Sequence, residues 1–179
     1  MLLIAKHISD LSTARFFSGE GVEMMSFVMK TTETPKGINP QDIAEITQWL
    51  FNVKILVHLP TDINYLDQLL QHITPDFIIV KKLFKDCPIP QILHVYDIDQ
   101  INSTQNYYWL MLHNVPKLET IHNSYLERLI VTIEDIDDFH KCKNLSIFAA
   151  AIRSKCAEIM GFKDFSAIQT LLMAIKNEG

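Results

Sequence analysis

The stretch Ile8 to Met29, ISDLSTARFFSGEGVEMMSFVM, reads as a helix over Leu11 to Gly19 running into a strand over Glu23 to Met29, with Met24, Met25 and Met29 as buried strand residues. Outward from it the same alternation recurs, short β-branched or apolar runs separated by amphipathic helical stretches, which is the rhythm of a parallel sheet. The other strands are expected near Leu2 to Ala5, Lys54 to Leu59, Phe77 to Val80, Gln91 to Val95, Tyr107 to Leu112, Arg128 to Ile133 and Leu145 to Ala151. Further helices are expected at Pro40 to Phe51, Ile63 to His72, Ile98 to Thr104, Leu118 to Leu126, Asp135 to Lys143 and Asp164 to Lys176, with a short or absent one around Leu83 to Cys87. Asn39 before Pro40, Asp62 before Ile63, and Asp164 before Phe165 supply the side-chain acceptors that helix starts require.

Eight strands and about eight helices predict an α/β fold, a compact (β/α)8 TIM barrel, with a doubly wound open sheet as the runner-up on periodicity alone. The chain has 179 residues, whereas such barrels usually run to about 250 and rarely below about 200. One or more helices must therefore be shortened or missing, and the segment from Val80 to Pro90 has little room for one. No repeat, low-complexity tract or Gly/Ser linker divides the sequence, so a single domain over 1–179 is expected.

Composition narrows the function classes. A chain with 48% hydrophobic and 21% charged residues can bury one sizeable core. No apolar run approaches the roughly 18 residues of a membrane span, and MLLIAKHISD is too short an apolar start for a signal peptide, so a cytoplasmic protein without a membrane partner is expected. Cys87, Cys142 and Cys156 are odd in number and widely spaced, which suits reduced thiols and offers no zinc motif. A net charge of −5 without a basic cluster argues against nucleic acid.

The Ile8–Met29 stretch resembles, without gaps, the first helix and second strand of the phosphoribosylanthranilate isomerase family. That family's Ser-Pro-Arg-Tyr-Val-Ser-Pro segment is similar to Thr34, Pro35, Lys36, Gly37, Ile38, Asn39 and Pro40, and its third strand to Val53 through Val57. Glu158, Gly161, Phe162, Lys163 and Asp164 resemble its Val-Glu and Pro-Gly-Val-Lys-Asp before the last helix. About half the chain, at its two ends, carries the likeness. The resemblance implies a TIM barrel, no cofactor, and an Amadori rearrangement of a phosphorylated aminosugar.

The family's functional landmarks have changed here. Its catalytic cysteine, in Ile-Cys-Gly-Ile-Thr, falls at Lys6 within Ala5, Lys6, His7, Ile8, Ser9. Its catalytic aspartate, in Leu-Leu-Asp, falls at His113 or, one residue earlier, at Leu112. Gln-Leu-His-Gly after strand four corresponds to Ile79, Val80, Lys81 and Lys82, and Ala-Gly-Gly-Leu after strand seven to Thr132, Ile133, Glu134 and Asp135. The rearrangement needs an acid to open the sugar and a base to take the adjacent carbon-bound proton. The phosphate needs glycine-lined amides after strands seven and eight, where Glu134 and Asp135 would instead repel it by about 1 kcal/mol or more per close pair.

Two readings of these changes stand side by side. In one, Lys6 and His113 inherit the base and acid roles, and Lys36 supplies the cation where the family has arginine. In the other, the barrel has lost the isomerase site, Lys6 reaches solvent at a strand end, and the protein binds a small phosphorylated or anionic metabolite or acts as an interaction protein. The candidate ligand-binding residues are His7, Lys36, His58, Lys81, His94 and Ser154.

Independently of any family, His7, His58, His94 and His113 fall at or near strand ends that converge on one mouth in a barrel. Histidines from several strands suit a catalytic metal in a hydrolase, or else are rim residues held by ordinary hydrogen bonds. Lys81 and Lys82 suit an anion or a Schiff base, or plain solvation. Asp97, Asp99 and the Glu134–Asp138 run suit a divalent cation, though acids at a helix start commonly serve its dipole. Tyr107, Tyr108 and Trp109 read as core. Either a monomer or a homodimer is compatible with the sequence.

Overall fold

The computed structural model of the chain describes residues 1–60, 62, 64–96, 109–112, 118, 121–154, 157–159 and 162–178. Eight parallel strands close on themselves in sequence order: β1 (Leu2–Ile8), β2 (Met24–Val28), β3 (Lys54–His58), β4 (Phe77–Val80), β5 (Gln91–Val95), β6 (Trp109–Leu112), β7 (Leu129–Ile133) and β8 (Ala149–Arg153). Closure is made by β1 against β8, with Leu2 opposite Ala149 and Lys6 opposite Arg153. The open doubly wound sheet is thereby excluded.

Among the described residues six helices accompany the barrel: α1 (Leu11–Gly19), α2 (Pro40–Thr47), α3 (Asn64–Leu70), α4 (Asn123–Leu126), α5 (Ile136–Cys142) and α6 (Ser166–Glu178). No helix forms between β4 and β5, where the Gln91 side chain instead clamps the Phe84 backbone, accepting from its N–H at 2.8 Å and donating to its carbonyl at 2.9 Å. The helix expected at Ile98 to Thr104 lies outside the described residues. None of the described helices is long and apolar enough to cross a membrane.

Several boundaries differ from the sequence reading. β1 runs on to Ile8, so Lys6 lies inside a strand and not beyond one. β8 begins at Ala149, because Leu145 to Phe148 make the turn that feeds it. α2 stops at Thr47, leaving Trp49 and Phe51 exposed. After β8 the chain forms an unexpected antiparallel pair, β9 (Ala157–Ile159) with β10 (Phe162–Asp164), before α6. Tyr107, Tyr108, Asp97, Asp99 and Cys156 lie outside the described residues.

Side chains alternate along each strand, and here they sort into two apolar layers. Ala5, Met25, Val57, Ile78, Leu110 and Val131 face the surrounding helices, whereas Ile4, Leu56, Ile79, Ile92, Met111 and Ile130 fill the barrel interior. At the N-terminal end Trp109 lies between Phe77 and Phe148, with ring centroids 4.7 and 4.9 Å away. The bottom is thus closed by aromatics, and an open site must lie at the C-terminal mouth.

Helix α1 is anchored where β1 ends. The Asp10 carboxylate accepts from Thr13 N–H at 3.0 Å and is ion-paired with Lys163 on β10. Burial pushes this carboxyl up, but hydrogen bonds from Lys163, Thr13 and Ser9 outweigh it and hold the pKa at about 2. Asp10→Ala should cost about 1 to 2 kcal/mol at pH 7. The folded pKa lies below the usual 3.8, so this stability is present above that value and disappears as pH falls towards 2. Urea titrations of both proteins should therefore diverge at pH 7 and converge near pH 2.

Candidate functional site at the barrel mouth

The inward alternation that places Ile4 and Leu56 in the core continues one step higher to Lys6 on β1, Ser26 on β2, His58 on β3, His94 on β5 and Thr132 on β7. Every one of these is polar or ionisable. They form a ring resting on an apolar floor.

Lys6 is the centre of that ring. Its side chain is 0% exposed, and Nζ donates to Thr132 Oγ1 at 3.1 Å. The reading in which Lys6 reaches solvent is therefore overturned, because the strand continues past it and points it inward. Among the described residues no carboxylate comes within ion-pair distance of Nζ, since nearby Glu134 is engaged by Arg153 Nη2 at 3.2 Å. Burial, then the Arg153 charge, lowers the amine from the usual 10.5 to about 8, with Glu134 pulling weakly the other way.

Three of the four strand-end histidines meet here. The His7 and His58 rings lie edge to face with centroids 5.2 Å apart, and His58 and His94 at 6.3 Å. His58 Nε2 is 3.3 Å from Ser26 Oγ. Burial, then the charges of His7, Lys6 and His94, holds the His58 imidazole well below 6.5, which keeps it neutral.

His7 itself adopts φ of 63°, the left-handed region, at the irregularity between Ala5 and Ile8 in the pairing of β1 with β2. It stands where the resembling motif carries glycine. Its N–H donates to Ser26 Oγ at 3.2 Å, and its carbonyl accepts from Ser154 Oγ at 2.7 Å. A non-glycine residue held there costs on the order of 1 kcal/mol, so His7→Gly should raise the urea midpoint by a corresponding amount. An unchanged or lower midpoint would mean that the ring contact with His58 outweighs the backbone strain.

Ser154 lies beside Lys6 and His7, but its described polar groups serve the scaffold, with its N–H on the Lys6 carbonyl at 2.9 Å. His7 also forms one wall of a cleft of about 410 Å³, whose other walls include Ser9, Thr34, Lys36 and Ile38. Lys36 is exposed on the loop leaving β2, and Lys81 is exposed just beyond β4. Leu112 packs in the outer layer, away from the ring, which removes it as the acid's replacement. His113 lies outside the described residues. Ser26, Thr132 and Arg153 were not singled out from the sequence, although counting inward positions from Lys6 and its paired strands would have found them.

After β7, Asp135 accepts from Asp138 N–H at 2.9 Å and Asp138 from Glu134 N–H at 3.2 Å. These acids therefore cap α5, as the helix-dipole reading expected. Among the described residues no group of three or more His, Cys, Asp or Glu side chains is placed to hold a metal ion.

No family model matches the sequence, and no curated protein matches it. Solved structures do. Phosphoribosylanthranilate isomerase from Thermotoga maritima superposes with a TM-score of 0.77 at 17% identity, over 99% of this chain and 100% of that one. An isomerase structure in complex with reduced 1-(o-carboxyphenylamino)-1-deoxyribulose 5-phosphate matches with a TM-score of 0.77 at 16% identity, over 99% and 100% of the two chains. A phospho-2-dehydro-3-deoxyheptonate aldolase from Thermotoga maritima matches with a TM-score of 0.64 at 12% identity, covering 99% of this chain and 68% of that one. One architecture thus carries more than one activity. The chain has the (β/α)8 fold of the phosphoribosylanthranilate isomerase structures.

Proposed function

We propose that this barrel is a cytoplasmic protein that binds a small anionic metabolite at its C-terminal mouth and has left the standard aminosugar isomerisation behind. The observation supporting this above the others is the enclosure of Lys6 against Thr132 at the place of the family's thiol. A lysine amine, imidazoles and the Lys36 ammonium beside the cleft suit a carboxylate or phosphate. The ligand named in the isomerase complex carries both groups. A glycine nest for phosphate is replaced by the Glu134–Arg153 pair and the Asp135 cap, which argues against the family's own substrate being held in the family's own way.

Two measurements test this. A tryptophan auxotroph lacking the isomerase should not grow when given this gene; growth would overturn the loss of isomerase chemistry. Phosphate stabilises most proteins by exclusion from their surfaces, so the binding readout is a difference. Millimolar phosphate or a small dicarboxylate should raise Tm a few degrees more in the native chain than in Lys36→Glu. Equal shifts in the two would sink the binding site.

A second reading is favoured by the Lys6 amine at about 8, within reach of the pH at which a general base works best. In it, Lys6 acts as base, His113 as acid and Lys36 as the cation of an active isomerase. Growth rescue abolished by Lys6→Met and by His113→Ala would establish it.

A further inference from the structure

We propose that Lys6 is a carbonyl-capturing nucleophile, forming a reversible imine with a short aldehyde or ketone that carries one anionic group. The inference rests on the anion-binding reading above and adds a covalent step to it.

The geometry is that of an amine prepared for attack. Lys6 lies on the inner face at the C-terminal end of β1, enclosed, supported at 3.1 Å by Thr132 Oγ1 and without a described carboxylate partner. A lysine with a purely structural task is ordinarily paired or has its ammonium in water. Here Arg153, directly opposite Lys6 across the β1–β8 pairing, supplies a second cation, and desolvation beside another cation is one of the established ways to activate a lysine. An amine with its pKa at about 8 is roughly one-tenth neutral at pH 7, against about 0.03% for a lysine at 10.5. That difference of about 300-fold in free amine is what the site offers a carbonyl.

The neighbours supply what the step needs. The neutral Nζ lone pair forms the N–C bond as the carbonyl π pair moves to oxygen. Transfer of a proton from nitrogen to that oxygen gives the carbinolamine. The hydroxyl group then takes up a proton and leaves as water, the nitrogen lone pair forming C=N, and addition of water reverses the sequence. Thr132 Oγ1, 3.1 Å from Nζ, and the neutral His58 of the same ring are the groups placed to carry these protons. His7 lies edge to face on His58 of this ring and also lines the 410 Å³ cleft, which Lys6 itself does not line. In this proposal the carbonyl end reaches the enclosed amine past His7, which must give way to admit it, while the anionic end stays with Lys36.

Borohydride trapping tests this on the intact chain. Pyruvate, glyceraldehyde 3-phosphate and neutral glyceraldehyde are each incubated with the protein and reduced, and the labelled lysines are mapped by mass spectrometry. The expected result is one adduct, on Lys6, at least about tenfold above Lys36, Lys81 or Lys82, formed with one or both anionic probes and much less with glyceraldehyde. Lys6→Arg and Lys6→Met should abolish it. Labelling spread evenly over exposed lysines would overturn the nucleophile. Equal Lys6 labelling by glyceraldehyde would overturn the anionic class of substrate. Phosphate binding that persists without any Lys6 adduct would overturn this inference alone, leaving the binding function in place.

Discussion

Replacing Lys6 by methionine is expected to stabilise the protein at pH 7 by roughly 2 kcal/mol, an unusual sign for a substitution at a fully buried position. The amine falls from 10.5 unfolded to about 8 folded, and at about 1.4 kcal/mol per pKa unit the penalty for enclosing it protonated is about 3 kcal/mol. Methionine fills a similar volume without charge, and the Thr132 hydroxyl it leaves unpartnered takes back about 1 kcal/mol. For a chain of this size the net gain is a Tm higher by about 4 to 8 °C. The sign of the pH dependence follows from the depressed folded pKa. The unfolded chain binds more protons between pH 8 and 10.5, so native stability rises through that window and the advantage of Lys6→Met shrinks to nothing by its upper end. The Arg153 and Glu134 charges are already among the causes of the lowered Lys6 pKa, and His58, held well below 6.5 first by burial, stays neutral across pH 7 to 10.5. Urea midpoints of both proteins from pH 7 to 10.5 measure it. A destabilised variant with a pH-independent gap would show that the charge on Lys6 is compensated. A residue kept in place at a cost to stability is the usual mark of a functional site.

How much of this was legible in the sequence depended on which rule each segment obeyed. The helix-to-strand passage from Leu11 to Val28 follows both apolar periodicity and family resemblance, and it was read almost to the residue. Lys6 breaks an apolar run, so periodicity ends β1 at Ala5, although a barrel tolerates a polar inner residue at the mouth, where its layer is no longer core. Propensity starts β8 too early because Leu145, Ile147 and Phe148 are stronger strand formers than the three alanines that follow. Those alanines occupy the strand instead, and Ala149 and Ala151 face an interior already filled by Ile4, Met24 and Ile130. The histidine convergence was legible as a list of strand ends, but not its inward subset. His58 and His94 needed only a register, whereas His7 needed the bulge and left-handed turn that no pattern in Ala5 to Ser9 announces. Ser26 and Thr132 are small hydroxyl residues in apolar strands; their inward positions can be counted, but their partners, His58 for Ser26 and Lys6 for Thr132, show only in the closed barrel.

Gly37→Ala should be the most damaging conservative change, at about 2 to 4 kcal/mol, because a Cβ there would sit 2.6 Å from the Met29 carbonyl carbon and oxygen and 2.7 Å from Lys30 N. Those atoms are backbone, so no rotamer relieves the contact. They are also fixed in place: Lys30 N–H donates to the Ile38 carbonyl and Ile38 N–H to the Val28 carbonyl, both at 2.8 Å, and Met29 bridges Ile38 in parallel. Admitting the methyl group means giving up this bridge, and two backbone bonds at about 1 kcal/mol each plus strain account for the magnitude. Gly19→Ala is the control, since nothing lies within 4 Å of its Cβ position and its backbone is ordinary helix; its midpoint should hold or rise slightly. The consequence reaches the site because the bridge is what folds the 30–39 loop back over the end of β2 and sets Lys36 against the cleft shared with His7. Gly37→Ala should therefore lose anion-dependent stabilisation as well as stability, while Gly19→Ala keeps both. If the alanine variant stayed folded and retained its full response to phosphate, the anion would have to be held without Lys36, and the cleft beside His7 would not be where the ligand binds.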